Sequence, residues 1–177
     1  SNDDVVLDIG GNCGFFALYS IQNGASKVYS VEPVKTSFEQ IVKLSNNFPE
    51  IIPINKAVSE TNGTVIMSVD EEGSATNCVT HYSEMFGGNS NKEIVDSINI
   101  NDLLLNIKEK INFMKVDCEG SEFELFKTIS DDNLKKIDKI IVEVHGDVIE
   151  KFVSDRLIQA GFKLYKHNNI LYLINLN

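Results

Sequence analysis

The sequence predicts an α/β fold, a mostly parallel sheet with helices on both faces and an antiparallel hairpin at its C-terminal end. Three observations predict it. Short apolar strands alternate with segments of helical period. The first strand runs into a glycine-rich loop that opens a helix. The last two strand-like runs, residues 162–165 and 171–176, are joined through Asn168-Asn169, a hairpin signal.

Residues 5–8 form an apolar run that ends at a glycine turn, as a buried parallel strand does. Residues 15–22 carry Phe15, Phe16, Leu18, Tyr19 and Ile21 and stop at Asn23-Gly24, a helix followed by its terminator. A second strand, 27–32, is halted by Pro33. Thr36-Ser37-Phe38-Glu39 has the form of a capping box, and Ile41, Val42, Leu44 and Phe48 follow at helical spacing. Residues 51–58 supply a third strand. Residues 64–69 and 76–82 alternate around Asp70-Glu71-Glu72-Gly73, which predicts a hairpin or an antiparallel excursion. The Gly-, Asn- and Ser-rich stretch 85–91 reads as a mobile loop or as a passive connection. Residues 97–100 suit a short strand before a helix started by Asp102. The fourth core strand is 111–117. Ser121 to Glu124 has the form of a second capping box, with Phe123, Phe126 and Ile129 on one face. A fifth strand, 139–144, ends at His145-Gly146, and a helix over 149–160 is closed by Gly161.

With 177 residues, the chain is sized for one domain, expected over 1–177. It opens almost directly on a strand, which leaves room for an N-terminal extension upstream. The net charge of -10 excludes nucleic acid as the main partner, because phosphate binding leans on clustered Lys and Arg. The cysteines Cys13, Cys78 and Cys118 form no CxxC pair, so neither a disulfide framework nor a zinc site is expected, and a reducing, cytoplasmic setting fits. No apolar run reaches the roughly 18 residues of a membrane span. Nothing in the sequence specifies an oligomeric state.

In a parallel sheet, ligands bind outside the carboxyl ends of the strands. That rule gathers Asp8, Glu32, Val58, Asp117 and His145 at one rim. The loop Gly10-Gly11-Asn12-Cys13-Gly14 offers small residues and free amides to a ligand. Glu32, ending the next strand, stands where an acid accepts hydrogen bonds from both hydroxyls of a ribose. Together they imply a nucleoside-containing cofactor. The dinucleotide fingerprint GxGxxG fails, since its second glycine falls on Asn12. Asp8 before the turn suits a cationic ligand such as S-adenosylmethionine better than an anionic pyrophosphate.

The motifs DIGGNCGFF, VEP (31–33), NKAVSETNG (55–63), MKVDCEGSE (114–122) and IIVEVH (140–145) together resemble the FkbM-type S-adenosylmethionine-dependent methyltransferases in order and spacing. The resemblance implies a class I methyltransferase, Rossmann-like fold and methylation of a hydroxyl on a sugar, glycan or polyketide-like small molecule. It carries over Asp8, Gly10, Gly11, Asn12 and Gly14 as the methionine-side loop and Glu32 as the ribose ligand, with Ala57 and Val58 near the adenine. The family usually has alanine where Gly11 stands and an aliphatic residue where Cys13 stands.

Methyl transfer to an alcohol gains from a general base. His145 at the rim is the candidate, and the same position also suits a histidine that hydrogen-bonds beside the sheet. Asp117 and Glu119 are the other catalytic candidates, facing donor or acceptor. Glu122 and Glu124 read as favouring a helix N-terminus. Asp117, Glu119 and Glu143 are oxygen donors suited to magnesium or calcium, but no spacing requires an ion and no metal is expected. Two other functions stay open: a non-catalytic nucleoside-binding module and a nicotinamide-dependent oxidoreductase.

Overall fold

The computed structural model describes residues 3–69, 78–79 and 91–176. Along β1 (Asp4–Ile9) the side chains alternate between two cores, because successive residues of a strand point to opposite faces. Val6 packs with Ala17 of α1 (Phe15–Gln22), Val28 of β2 (Ala25–Val31), Ile41 of α2 (Lys35–Ser45) and Ile51 of β3 (Ile51–Ile54). Val5, Leu7 and Ile9 join a larger core on the other face. It includes Leu103 of α3 (Ile100–Asn106), Leu125 and Phe126 of α4 (Glu122–Thr128), and Val153 and Leu157 of α6 (Asp147–Gln159). The short α5 (Asp131–Leu134), which the sequence pattern did not reveal, is capped by the Ser130 hydroxyl. Helices therefore cover both faces, as expected.

The main sheet adds β8 (Ile111–Val116), β9 (Ile137–Glu143), β10 (Phe162–His167) and β11 (Ile170–Asn175), in the order β10-β11-β9-β8-β1-β2-β3. The neighbours among β3, β2, β1, β8 and β9 are parallel. β11 is antiparallel to both β10 and β9, so the expected terminal hairpin inserts its second strand into the sheet. Chain order reverses between β1 and β8, the switch point at which ligands of open α/β sheets bind.

Four expectations need correction. The third strand divides: β3 ends at Ile54, and β4 (Ala57–Ser59) leaves for a second sheet that it forms with β5 (Gly63–Val69), β6 (Cys78–Val79) and β7 (Asn91–Asn99), in the order β4-β7-β5-β6. Asn55 makes the break, its side-chain amide donating to the carbonyls of Glu32 and Pro33 at 2.8 and 2.9 Å. The strand near 97–100 is the end of a longer one, β7 (Asn91–Asn99), and α3 starts at Ile100 because the Asn99 side chain accepts from the Asn101 amide at 2.8 Å. Neither proposed capping box forms. α2 begins after Val34, whose amide goes to Glu32, and Ser121, at φ -88° and ψ 5°, lacks the extended backbone of a capping residue and makes no side-chain cap. The antiparallel excursion exists as β5 (Gly63–Val69) paired with β6 (Cys78–Val79) and, along its length, with β7. Its tip at 70–77, the stretch 80–82 and the loop 85–90 lie outside the described residues.

Candidate active site

At the C-terminal ends of β1, β2 and β8 opens a cavity. Gly10, Asn12, Glu32, Ala57, Val58, Asp117 and Glu119 all line it. Lys56 and Met67 line it too. The second sheet supplies Ala57, Val58 and Met67, and Ala57 and Met67 pack with Val34 and Val95 in a small apolar cluster of their own.

Glu32 is 6% exposed, and both its oxygens are engaged by backbone. Oε2 accepts from the Asn12 amide at 2.9 Å and Oε1 from the Val34 amide at 2.8 Å. Burial raises its pKa, and those two amides oppose the rise. Each oxygen retains a lone pair for a further donor.

The glycine loop owes its composition first to protein, not ligand. A Cβ on Gly10, at φ +78°, would lie 1.7 Å from the Asp117 carbonyl oxygen. One on Gly14, at φ +83°, would lie 2.7 Å from Leu44, and one on Gly11 would meet the Ser30 hydroxyl at 2.2 Å. Gly11 and Gly14 thus seat the loop on β2 and α2, and neither lines the cavity. Asp8 does not line it either. Its carboxylate is wholly buried, accepts from the Ser30 hydroxyl at 3.0 Å and lies 3.5 Å from Lys115 Nζ. Lys115 also donates to the Gly10 carbonyl at 2.8 Å and reaches Asp117 at 3.3 Å. Burial pushes Asp8 up. Burial would lower Lys115, but Asp8 and Asp117 outweigh it and hold the ammonium charged. The negative charge that suggested a cationic ligand is thus met inside the protein.

After β8 the chain makes a tight turn in which Glu119 (φ +49°) and Gly120 (φ +101°) both take left-handed backbone. For glutamate that conformation costs on the order of 1–3 kcal/mol and needs surrounding support. The wholly buried Glu122 supplies it, accepting from the Gly120 amide at 2.9 Å and the Cys118 amide at 3.2 Å. His145 stands between two carboxylates, Nδ1 3.3 Å from Glu122 and Nε2 3.4 Å from Glu119. Contact with Glu122 first, and the charges of Glu119 and Glu143, push its pKa up to about 9 against the opposing effect of burial. Burial raises Glu119, with His145 pulling the other way. Asp117, Glu119 and His145 each bring a donor atom to within 4.8 Å of the others. The imidazole holds a proton there at neutral pH, and no metal is assigned to the group. Cys118 lines the cavity and packs against the core, and burial with the charges of Glu122 and Asp117 pushes its thiol well up, which disfavours the nucleophilic thiolate.

Glu122, Lys115, Met67 and Lys56 were not foreseen as site residues. Glu122 and Lys115 carried a signal in hindsight: each is a charged residue inside an otherwise core-forming segment, a placement that requires a partner.

A family model described as the methyltransferase FkbM domain matches residues 8–171. Among solved structures, the chain is similar to the FkbM methyltransferase of Methylobacillus flagellatus KT, at 16% identity and a TM-score of 0.66 over 97% of this chain and 44% of that one. It is similar to Aeropyrum pernix fibrillarin, solved with natively bound S-adenosyl-L-methionine, at 12% identity and a TM-score of 0.56 over 98% and 67% of the two chains. It is also similar to the precorrin-6y C5,15-methyltransferase of Geobacter metallireducens GS-15, at 10% identity and a TM-score of 0.53 over 97% and 78%. These likenesses show a class I methyltransferase-like fold. The chain spans 44% of the length of the M. flagellatus protein. No curated protein sequence matches it. Among the described residues, no helix is long and apolar enough to cross a membrane.

Proposed function

The chain belongs to the methyltransferase FkbM domain family, and from that premise we propose that it is an S-adenosylmethionine-dependent methyltransferase acting on a hydroxyl of a sugar, glycan or polyketide-like small molecule. One observation carries the reading. A single cavity at the switch point combines the glycine loop, a near-buried carboxylate with free lone pairs, and an apolar wall from Ala57, Val58 and Met67.

The residues fit the cofactor. Glu32 would accept from the ribose hydroxyls, Gly10 and Asn12 would line the methionine side, and Ala57, Val58 and Met67 would flank the adenine. When bound, S-adenosylmethionine would supply an activated methyl group for the acceptor oxygen, with the electron pair of the carbon–sulfur bond left on sulfur. The chain's own task is alignment, exclusion of water and removal of the hydroxyl proton. His145 is held as imidazolium below about pH 9 and has no lone pair to accept that proton. The proton passes instead to the Glu119 carboxylate, whose proton affinity burial raises against the opposing pull of the imidazolium at 3.4 Å. Asp117 orients the acceptor at the same rim.

The first test is isothermal titration with S-adenosylhomocysteine, with NAD as control. Micromolar binding of the first and none of the second is expected. NAD binding alone would replace this reading with an oxidoreductase, and binding of neither would sink the nucleoside assignment. Turnover of a hydroxyl acceptor then separates enzyme from binding module. Glu32→Ala should weaken S-adenosylhomocysteine binding by about 1–3 kcal/mol through unpaired donors, and unchanged affinity would remove Glu32 from the site.

A further inference from the structure

Glu122 does not line the cavity, yet it touches both features that shape the rim beside it. Its side chain is 0% exposed, a setting in which a carboxylate needs partners. Its Oε2 accepts from the Gly120 amide at 2.9 Å, and its Oε1 accepts from the Cys118 amide at 3.2 Å, so both oxygens hold the 117–121 turn. The same Oε1 lies 3.3 Å from His145 Nδ1, and His145 Nε2 lies 3.4 Å from Glu119. The same buried group therefore touches the turn that presents Glu119 and the ring that accompanies it.

We propose that Glu122 is the positioning residue of this site: it holds the left-handed turn and the His145 ring together, so that Glu119 is presented at the cavity rim beside a fixed imidazolium. The inference rests on the methyltransferase reading only for the use to which Glu119 is put. The geometry itself stands without a cofactor. It also explains why an acid follows two residues after the strained Glu119-Gly120 pair. A helix-favouring charge alone would project into solvent, whereas Glu122 turns inward and accepts three backbone contacts within hydrogen-bond distance.

The groups facing His145 are Glu122 from α4, Glu119 and Asp117 from the turn, and Glu143 from β9, with Lys115 beside Asp117. Their contributions are separable by titrating the His145 ring by NMR in the free protein, its resonance assigned by its loss in His145→Gln. The expected midpoint is about 9 in the parent. In Glu122→Gln, which keeps an oxygen for the Gly120 amide but removes the charge, the midpoint should fall by about one pH unit or more, a tenfold loss of proton affinity. In Glu119→Gln it should fall less. An unchanged midpoint in Glu122→Gln overturns the proposal. So does a larger fall in Glu119→Gln than in Glu122→Gln, and the parent and Glu119→Gln still decide if Glu122→Gln does not fold, because near-complete loss of the elevation in Glu119→Gln would make the rim carboxylate the holder of the ring. Glu122→Asp, whose carboxylate is one methylene short of the ring, should recover part of the elevation at most. Failure of the parent to bind S-adenosylhomocysteine would count against the methyltransferase reading and leave these titrations unaffected.

Discussion

At the scale of single residues, the glycine loop shows how one sequence feature serves two requirements. Gly10 admits the Asp117 carbonyl at a distance no side chain tolerates, and it also lines the cavity. Gly10→Ala should therefore cost well over 2 kcal/mol in denaturant unfolding, combining a backbone clash with strain at positive φ. Gly63→Ala, at φ +141° with nothing within 4 Å of the added carbon, should cost only the backbone strain, about 1–3 kcal/mol. Equal losses at the two positions would mean that the Asp117 contact is not tight. His145 makes a pH prediction at the same scale. Its folded pKa of about 9 stands above the ordinary 6.5, so its contribution to stability is complete below pH 6.5 and is lost as pH rises through 9. The ring is 27% exposed, and after discounting for solvent screening the effect is on the order of 1–2 kcal/mol. Unfolding free energies measured from pH 6 to 10 should decline for the parent and stay flatter for His145→Gln. The catalytic candidates were legible as residue types at a rim, but their protonation was not, because it depends on neighbours from three different segments.

Elements were legible where a period and a terminator coincide. α1 falls on the expected residues 15–22 because five apolar side chains precede Asn23-Gly24. Starts were misread where a polar pair mimicked a cap. Thr36 lies inside α2, which begins at Lys35, and Ser121 makes no side-chain cap, while Glu32 and Glu122 take the amides of Val34, Cys118 and Gly120 that precede the two helices. The hairpin β10–β11 was legible, but its insertion was not: two antiparallel edges satisfy the same local pattern, and only packing against β9 chooses between them. Leu171 and Leu173 point into the core at 0% and 1% exposure, while Tyr172 and Ile174 on the opposite face are 41% and 42% exposed. Leu173→Ala should cost about 2–5 kcal/mol, and Ile174→Ala less than about 1 kcal/mol. Comparable losses would contradict the one-sided burial.

For the molecule as a whole, two runs of parallel strands, β1-β2-β3 and β8-β9, meet at β1 and β8, and Lys115 ties them. Its register partner across the pair is Asp8, and it reaches Gly10 and Asp117 as well. Lys115→Met leaves a buried carboxylate without a counter-charge and should destabilise by about 3–5 kcal/mol at neutral pH. That deficit should shrink in acid as Asp8 takes up a proton, and a pH-independent deficit would show that packing, not charge, is lost. The sequence by itself determined the α/β class, the alternation of the core strands and helices and the glycine loop, because these depend on neighbours within one element or one turn, and the family, because its motifs keep their order and spacing along the chain. Only the tertiary structure decided that Asp8 is neutralised from β8, that β4 leaves the main sheet to wall the cavity, and that Glu122, His145 and Glu119 form one unit. Each of these is a contact between residues remote in sequence or on opposite sides of a turn, set by strand register and burial, and no local pattern records which charge will face which.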